Sequence, residues 1–442
     1  MHSCSLDRRL GLVDAAAIVI ANVVGVGIFT TPGFVATIVP NAYAILGVWV
    51  AGGALAFFGA LAYAELAARR PLAGGEYVYL RESFGNVAAF LTGWTSFVAG
   101  FSGAIAAGAM GVTVYADRFV PGVANSKVVA IVVIALLAAI HARGVGPGRT
   151  LQRALTAIKV AGLVAFVAVA GALGDHAITA PPVAEPVPLS ALLLAMIPVM
   201  FSYSGWNAAA YIAEEVREPA RNVPLGLSIG TAAVVTLYVL IGVSHVPGMA
   251  AHHLLTDATG SLFNALAVVI VLSSLSAMTL AGPRVYFAMA RDGAFFRAAA
   301  RVHPLYRTPA TAIVGQAAWS ALLVLSGTFE QLLVYTGFAI VLFSGLAVLS
   351  LFFVHRRAQD VPRLTACGYP WAPAVFCMAS FSITVNAIVS APGPTLAGLG
   401  IMAAGLPIYW WTRAADKSAN AANGALGLQS SRLQLRRADQ AP

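Results

Sequence analysis

Two glycines interrupt the first long apolar stretch of the chain. Gly25 and Gly27 stand where a membrane helix favours straight-chain apolar residues, and the polar Asn22 precedes them. Each glycine weakens a helix by roughly 1 kcal/mol relative to alanine. In lipid, freed backbone groups are tolerated only where protein satisfies them or where they line a cavity. The pattern predicts a helix break that exposes backbone groups to a bound molecule; a glycine seam for helix packing is the alternative.

A second apolar stretch is interrupted within residues 201–207, which read FSYSGWN. Ser202, Ser204, Gly205 and Asn207 are unusual in the centre of a lipid-facing helix. A broken helix has free N–H groups where one half begins and free carbonyls where the other half ends. The N–H groups suit a carboxylate, and the carbonyls suit an ammonium. The two breaks together match the backbone of an α-amino acid without any charged side chain.

Three side chains near the breaks have candidate roles. Phe201 is placed to cover a bound molecule as a gate, with ordinary helix packing as the alternative. Asn207 hydrogen-bonds either the bound molecule or a neighbouring helix. Lys159 lies about 12 Å along its helix from Leu151. Its ammonium therefore reaches only part of the way to the membrane surface. Because intramembrane ionisable groups are functional hypotheses by default, Lys159 is expected to titrate or to replace a metal ion, with snorkelling as the alternative.

The remaining charges and motifs limit the chemistry. The acidic residues closest to the membrane interior all lie near predicted helix ends: Asp14, Glu65, Glu214 and Glu215. No acid is expected at the midplane, and this favours neutral substrates. The chain has no H-E-x-x-H, P-loop or G-x-S-x-G motif. We therefore expect no catalytic residue, no metal site, no cofactor and no use of ATP, so that a gradient or exchange supplies the energy.

Composition places the chain in the membrane. Hydrophobic residues make up 59% and charged residues 10% of the sequence, whereas soluble domains have about 25% charged residues. An apolar helix of about 20 residues crosses the hydrocarbon core, and many such segments are present. The predicted fold class is an all-α polytopic membrane protein. The net charge of +9 is explained by the membrane topology given below, in which Lys and Arg collect on one side of the membrane. No nucleic acid partner is therefore expected.

Twelve membrane helices are predicted, which puts both termini on the same side. They span residues 12–38, 43–67, 86–116, 128–145, 151–173, 189–215, 223–245, 260–290, 309–326, 331–354, 370–391 and 394–412. Of the 26 Lys and Arg residues, only Arg118 and Lys127 fall on the outer side, and Lys159 lies within a helix. The others, Arg284 among them, are assigned to the inner side, as the positive-inside rule requires of the cytoplasmic side.

The two interruptions divide the chain into corresponding blocks. Each lies near the middle of the first helix of a five-helix block, 12–173 or 189–354. Paired interruptions in corresponding positions indicate a transporter's midplane binding site. Because five is odd, the second block must be inverted relative to the first. The other predicted regions are a cytoplasmic N-terminal tail (1–11), an extracytoplasmic linker (174–188), the last two helices with their preceding loop (355–412) and a disordered cytoplasmic tail (413–442).

Residues 69–85 are too few for a domain of their own. They are predicted to form a short interfacial helix on the inner face. Tyr77 and Tyr79 are expected at the level of the lipid headgroups.

Several motifs resemble the amino acid–polyamine–organocation superfamily. They are residues 25–29 (GVGIF), 74–79 (GGEYVY) with Phe84 and Gly85, and 89–94 (AFLTGW). Residues 201–207 followed by 213–224 (AEEVREPARNVP) are closer to its L-type amino acid transporter branch, and residues 290–293 (ARDG) also fit. The resemblance covers roughly residues 8–412. It implies a LeuT-like 5+5 inverted repeat with helices 1 and 6 broken at the midplane.

The resemblance also implies roles for individual residues. Substrate contacts would come from Val24, Gly25, Val26, Gly27 and Ile28 on the first broken helix, and from Phe201, Ser202, Tyr203, Ser204, Gly205 and Asn207 on the second. Phe201 would be the gate, and Lys159 would occupy the place of a sodium ion. Ser204 departs from the glycine of many L-type members, and this puts large substrates in doubt. The third helix has no cysteine to link a partner subunit, so that no obligate partner is expected.

These inferences predict a sodium-independent transporter of neutral L-amino acids in the lipid bilayer of the cytoplasmic membrane. It would work by alternating access, with proton symport and exchange both open. One alternative is an antiporter for cationic amino acids or polyamines. A membrane-embedded enzyme would need a midplane cluster of His, Asp or Glu, and a sensor would bind amino acid without moving it.

Overall fold

A computed structural model describes residues 6–25, 27–173, 187–243, 257–327, 329–354 and 368–411 of the protein. Within these ranges the secondary structure is helical, apart from one isolated parallel β-bridge between Leu10 and Val216. The predicted tail at 413–442 and most of the linker at 174–188 lie outside the described residues.

The α-helices are numbered here in chain order. They are α1 (Leu12–Val23), α2 (Gly27–Ile38), α3 (Ala42–Arg69), α4 (Glu76–Thr95), α5 (Phe101–Ala116), α6 (Lys127–Ala142), α7 (Val145–Leu173), α8 (Leu189–Ser202), α9 (Ala208–Tyr211), α10 (Pro219–Val243), α11 (Asp257–Arg291), α12 (Ala310–Ser326), α13 (Phe329–Leu349), α14 (Trp371–Ser390), α15 (Pro392–Ala403) and α16 (405–411). A π-helical turn, Ser96–Gly100, joins α4 to α5.

Six stretches of the described chain are long and apolar enough to cross a membrane. They are Ala42–Arg69, Glu76–Ala116, Val145–Val169, Pro219–Gly242, Gly260–Arg291 and Trp371–Ser390. The prediction of an all-α, multi-pass membrane protein is confirmed at this level. The count of twelve membrane helices stays a prediction.

The first predicted membrane helix divides into α1 and α2. Val24 leaves the helical conformation with φ −78° and ψ 92°, directly after the last residue of α1. Helix α2 begins at Gly27, and Val26 lies outside the described residues. The break falls where the two glycines predict it. Helix α1 packs against α7, α10 and α11, so that the break is enclosed by protein, as the cost of unpaired backbone groups in lipid requires.

The second break separates α8 from α9 and touches the first. Gly205 lies between these helices with φ +102°, a left-handed conformation that glycine adopts without steric cost. A Cβ atom at this position would lie 2.7 Å from the Cβ atom of Asn22. Only glycine therefore allows the two interrupted segments to approach this closely. The breaks are 180 residues apart in sequence, yet they form one site.

The prediction for residues 69–85 is partly wrong. A short helix does form. It is the first part of α4, which begins at Glu76 and kinks at Gly85, where φ is 84° and ψ is −176°. However, Tyr77 and Tyr79 are 2% and 0% exposed and do not lie at a lipid surface. Gly74 and Gly75 have positive φ values and direct the start of α4 into the protein. There the backbone N–H of Gly74 donates to the carbonyl of Tyr211 at 3.1 Å.

Buried and partly buried ion pairs connect α11 to the turn that follows α9, and α7 to the start of α1. Arg284 and Glu215 are completely buried, and two bonds of 2.7 and 3.0 Å join the guanidinium to the carboxylate. The assignment of Arg284 to the inner side of the membrane stays a prediction, and the structure shows that its side chain lies in the protein interior. Arg153 pairs with the buried Asp14 at 2.5 Å.

Candidate functional site

Both helix breaks line a small cavity of about 40 Å³. Gly25 and Gly27 contribute from the first break, and Phe201, Ser202 and Ser204 contribute from the second. The hydroxyl of Ser202 is buried without a hydrogen-bond partner in the described part of the protein. A volume of this size holds about three water molecules. The arrangement suits a small polar group that bonds to backbone atoms and to the Ser202 hydroxyl.

Two further helices complete this cavity, and the sequence did not single them out. Helix α5 contributes Ala104, Ala107 and Gly108, and helix α11 contributes Val271, Ser274, Leu275 and Met278. A Cβ atom on Gly25 would lie 2.8 Å from the Ser274 hydroxyl oxygen, so that α11 closely approaches the first break. The available signals were the run of small residues at 102–109 and the serines at 273–276. Both patterns are also typical of ordinary helix packing.

A larger cavity of about 120 Å³ extends from the second break toward α4 and α13. Asn22, Phe201 and Ser204 line both cavities. The larger cavity also contacts Asn207, Glu76, Thr95 and Ser344 among the residues of its wall. Phe201 is half-buried. It is therefore in contact with both spaces.

Glu76 is the acidic residue that the sequence analysis missed. It was not among the acids expected closest to the membrane interior, yet this side chain is only 8% exposed and lines the larger cavity. Its Oε1 atom accepts bonds from the Tyr63 hydroxyl at 2.7 Å and from Asn207 Nδ2 at 2.6 Å. No ion pair to Glu76 occurs among the described residues. The detectable signal was an acid in the first turn of an apolar helix, where the helix dipole favours a negative charge.

Lys159 lies on α7 beside the first break and is completely buried. Its Nζ atom donates to the carbonyl of Ala21 at 3.1 Å and also to the carbonyl of Val24. These carbonyls are at the end of α1, where intrahelical donors are missing. The ammonium therefore stabilises the negative end of the α1 dipole. Snorkelling does not describe this side chain, because its charge is directed into the protein.

The carbonyl of Val23 is also occupied, by a bond of 3.0 Å from the Tyr238 hydroxyl. The carbonyls that the sequence offered to an ammonium ligand thus already have protein donors. A carbonyl oxygen has two lone pairs, so that a second donor is still accommodated. A ligand ammonium would share this end of α1 with Lys159 and Tyr238.

Some residues of the predicted site lie away from the cavities. Val24, Ile28 and Tyr203 line neither cavity. Tyr203 is 1% exposed, and its ring packs against those of Trp49 and Tyr238 at centroid distances of 5.7 and 5.1 Å. Its hydroxyl donates to the Trp49 carbonyl at 3.2 Å. Tyr203 therefore holds the end of α8 against α3 and α10. Val26 is outside the described residues.

Within the described residues, no group of three or more His, Cys, Asp and Glu side chains is arranged to hold a metal ion. The site is built from backbone groups, hydroxyls, the amides of Asn22 and Asn207, one carboxylate and one ammonium. Such groups bind and orient a small zwitterion. A family model described as amino acid permease matches residues 10–412, which include both breaks and Lys159.

The chain belongs to the amino acid permease family. It is a permease of the amino acid–polyamine–organocation superfamily, L-type branch, and therefore a membrane transporter and not an enzyme. It is 28% identical over 429 residues to the serine/threonine exchanger SteT of Bacillus subtilis, with 92% of this chain and 97% of the relative covered.

Two animal transporters are also similar to this permease. The b(0,+)-type amino acid transporter 1 of Oryctolagus cuniculus is 30% identical over 383 residues, with 81% of this chain and 78% of the relative covered. The large neutral amino acids transporter small subunit 2 of Homo sapiens is 27% identical over 433 residues, with 92% and 80% covered. The similarity to relatives of this kind extends over most of the permease.

Proposed function

We propose that this permease moves neutral L-amino acids across the cytoplasmic membrane by sodium-independent secondary active transport. The main support is the meeting of both helix breaks at one cavity, with Lys159 at the end of α1. Backbone groups of Gly25, Gly27, Ser202 and Ser204 would hold the α-carboxylate and α-ammonium. Val24, Val26 and Ile28 belong to the same segment and would contribute through their backbone. SteT is named a serine/threonine exchanger, which agrees with a small neutral substrate.

The proposed architecture is a LeuT-like inverted repeat with twelve membrane helices and both termini in the cytoplasm. The proposed repeats are residues 12–173 and 189–354, each with its first helix broken. The corresponding positions of the breaks and the distribution of Lys and Arg support this arrangement. Movement of one repeat against the other around the two breaks would give alternating access.

Lys159 supports a mechanism without sodium. A positively charged group already bonds to carbonyls of the kind that coordinate a cation at a helix end. Proton symport would require this ammonium to lose and regain a proton during the cycle. Exchange would require only a fixed cation. Both mechanisms agree with the bonds of Lys159.

A specific observation favours the second candidate, an antiporter for cationic amino acids or polyamines. Glu76 places a carboxylate without a cationic partner, among the described residues, in the wall of the larger cavity. A substrate with an ammonium or guanidinium group would find its counter-ion there. Competition of lysine, arginine and putrescine with labelled alanine uptake separates the two candidates. Strong competition by these cations would replace the neutral proposal with the cationic one.

No obligate partner subunit is proposed, because the third predicted helix has no cysteine. One relative is named a small subunit. Whether this chain transports without a second subunit therefore needs a separate test. Purified chain alone, reconstituted in liposomes, should transport. Transport that appears only after a second protein is added would contradict the proposal.

Uptake into proteoliposomes tests the function directly. Labelled alanine and leucine would be offered to vesicles that are empty or preloaded with unlabelled amino acid, with and without an inward proton gradient. Stimulation by the gradient in empty vesicles would identify a symporter with Lys159 at the coupling site. Uptake only into preloaded vesicles would identify an exchanger in which Lys159 is a fixed cation. Absence of any alanine or leucine flux would contradict the proposal.

Phe201→Ala tests the gate. The ring lines both cavities, and loss of a phenylalanine contact surface costs about 1.5 kcal/mol or more. We expect the apparent KM for alanine to rise roughly tenfold. Phe381→Ala is the matched control, because Phe381 lies on α14 with 71% of its surface exposed. Wild-type kinetics for Phe201→Ala would remove the gating role.

A further inference from the structure

We propose that Glu76 is a positioning residue that turns the side-chain amide of Asn207 so that the amide oxygen faces the larger cavity. The cavity then offers an acceptor to a hydrogen-bond donor on the substrate side chain, either a hydroxyl or an ammonium. This inference rests on the proposed amino acid transport. It names the substrate class more closely than the helix breaks do, because the breaks recognise only the backbone of the amino acid.

The two donors of the Asn207 amide are both occupied. Nδ2 donates to Glu76 Oε1 at 2.6 Å and to the Tyr211 hydroxyl at 2.9 Å. An amide nitrogen has two N–H bonds, and both are therefore used. The oxygen Oδ1 has no hydrogen bond within the described chain. Because Asn207 lines the larger cavity, its Oδ1 atom is the side-chain polar atom that remains available to a ligand there.

Glu76 determines which way the amide points. Its Oε1 accepts from both Tyr63 and Asn207, so that this oxygen acts as the acceptor toward both neighbours. An amide oxygen placed 2.6 Å from that carboxylate would be repelled, whereas an amide N–H is strongly attracted. The side chain of Tyr63 is itself completely buried and fixes the carboxylate. The orientation of Asn207 thus follows from its neighbours.

Two hydroxyls in the same wall already donate their protons within the protein. Thr95 Oγ1 donates to the Leu91 carbonyl at 2.8 Å, and Ser344 Oγ donates to the Ile340 carbonyl at 2.7 Å. Each hydroxyl has one proton, and these bonds use it. A substrate carboxylate in the larger cavity would face Glu76 and the Asn207 oxygen. A substrate hydroxyl or ammonium would instead donate to the Asn207 oxygen.

A merely structural Glu76 would hold α3, α4 and α9 together through Tyr63 and Asn207. That role predicts equal effects on all substrates. The positioning role predicts effects that depend on the substrate side chain. The experiment therefore compares amino acids that share one backbone. Alanine has no side-chain polar group, serine has a hydroxyl, 2,3-diaminopropionate has an ammonium and aspartate has a carboxylate.

The measurement is the concentration of each amino acid that half-inhibits labelled alanine uptake by the full chain in proteoliposomes. For the wild type we expect serine or 2,3-diaminopropionate to compete at least as well as alanine, and the better of the two identifies the donor as hydroxyl or ammonium. Aspartate should compete roughly 100-fold less well, because its side-chain carboxylate is repelled by Glu76.

Glu76→Gln should weaken this discrimination. A neutral amide at position 76 accepts or donates, so that Asn207 is no longer held in one orientation. The half-inhibiting concentration of aspartate, divided by that of serine, should fall about tenfold. Tyr211→Phe removes the second acceptor of Asn207 Nδ2 and should lower the same ratio of aspartate to serine half-inhibition. This variant replaces Glu76→Gln in the experiment if Glu76→Gln does not fold.

A swapped pair provides the rescue. In Glu76→Gln with Asn207→Asp, the amide at 76 donates to a carboxylate at 207, and either carboxylate oxygen presents an acceptor to the cavity. The preference for a donor side chain over aspartate should return. Failure of the wild type to carry alanine would overturn the proposed function itself. Alanine transport with equal shifts for every side chain, or with no shift, or without rescue by the pair, would overturn this inference alone.

Discussion

Replacing Lys159 with alanine is expected to reduce the rate of amino acid transport roughly 100-fold. The ammonium donates to the carbonyls of Ala21 and Val24 at the end of α1 and is completely buried. Charge-assisted hydrogen bonds contribute about 1.5–3 kcal/mol each, and 3 kcal/mol corresponds to a factor of roughly 100 in an equilibrium. Without these bonds, the end of α1 loses the donors that hold the break in its transport-competent form. Initial rates of alanine uptake into proteoliposomes measure the effect.

Lys127→Ala is the matched control for this prediction. Its Nζ also donates to a helix carbonyl, that of Leu325 at 2.8 Å, but this bond is exposed to the surroundings. Exposed charge interactions contribute between 0 and about 1 kcal/mol, so that transport should stay within about fivefold of the wild type. The amount of protein in the membrane should be unchanged for both variants. Near-normal uptake by Lys159→Ala would contradict an active role of the ammonium.

The pH dependence separates the two roles of Lys159. If the ammonium couples transport to protons, Lys159→Ala should remove the response of the residual rate to the proton gradient. If it is a fixed cation, the variant should lower exchange at every pH by a similar factor. A residual rate with unchanged dependence on pH would exclude the coupling role and leave the fixed cation.

The helix breaks could be predicted because their signals are local. Gly25, Gly27 and Gly205 are poor residues for a membrane helix wherever it packs, and the structure places interruptions at these positions. The contact between the two breaks could be predicted only from their corresponding positions in the two five-helix blocks. The close approach of Asn22, which would place a Cβ atom on residue 205 only 2.7 Å from its own Cβ atom, depends on tertiary packing. No local pattern contains that distance.

Glu76 and Arg284 show where sequence reasoning fails. Both lie beside predicted membrane boundaries, where charges are ordinarily solvated. Glu76 is buried because two positive-φ glycines direct α4 inward, and Arg284 is buried because Glu215 compensates its charge. The partner in each arrangement is distant in sequence, for example Asn207 for Glu76. Hydropathy therefore indicated an all-α membrane protein but underestimated the charge within the protein.

Lys159 is an intermediate example. Its position in an apolar helix indicated a functional role or snorkelling, and the sequence could not distinguish them. The identity of its acceptors required the packing of α1 against α7. The same holds for Ser274 and Met278, whose side chains become part of the cavity wall only because α11 lies beside the first break.

Glu215→Gln is expected to destabilise the folded protein by about 3–5 kcal/mol, because it leaves the guanidinium of Arg284 buried without a compensating charge. Both side chains are 0% exposed, and both guanidinium-to-carboxylate bonds are 3.0 Å or shorter. The backbone carbonyl of Glu215 also accepts from the N–H of Leu10 at 3.0 Å. Loosening this region should therefore release the segment before α1 as well. The unfolding temperature of the purified protein in detergent measures the loss.

Glu214→Gln is the control, because Glu214 pairs with Arg291 at 3.0 Å while 40% of the arginine side chain is exposed. It should cost about 1 kcal/mol or less. Combining Glu215→Leu with Arg284→Met should recover much of the stability lost in Glu215→Gln, since apolar replacement of a buried pair is often neutral. Equal unfolding temperatures for Glu215→Gln and Glu214→Gln would show that the buried pair is not a main support of the fold. Recovery of stability without recovery of transport would instead assign the pair to the conformational cycle.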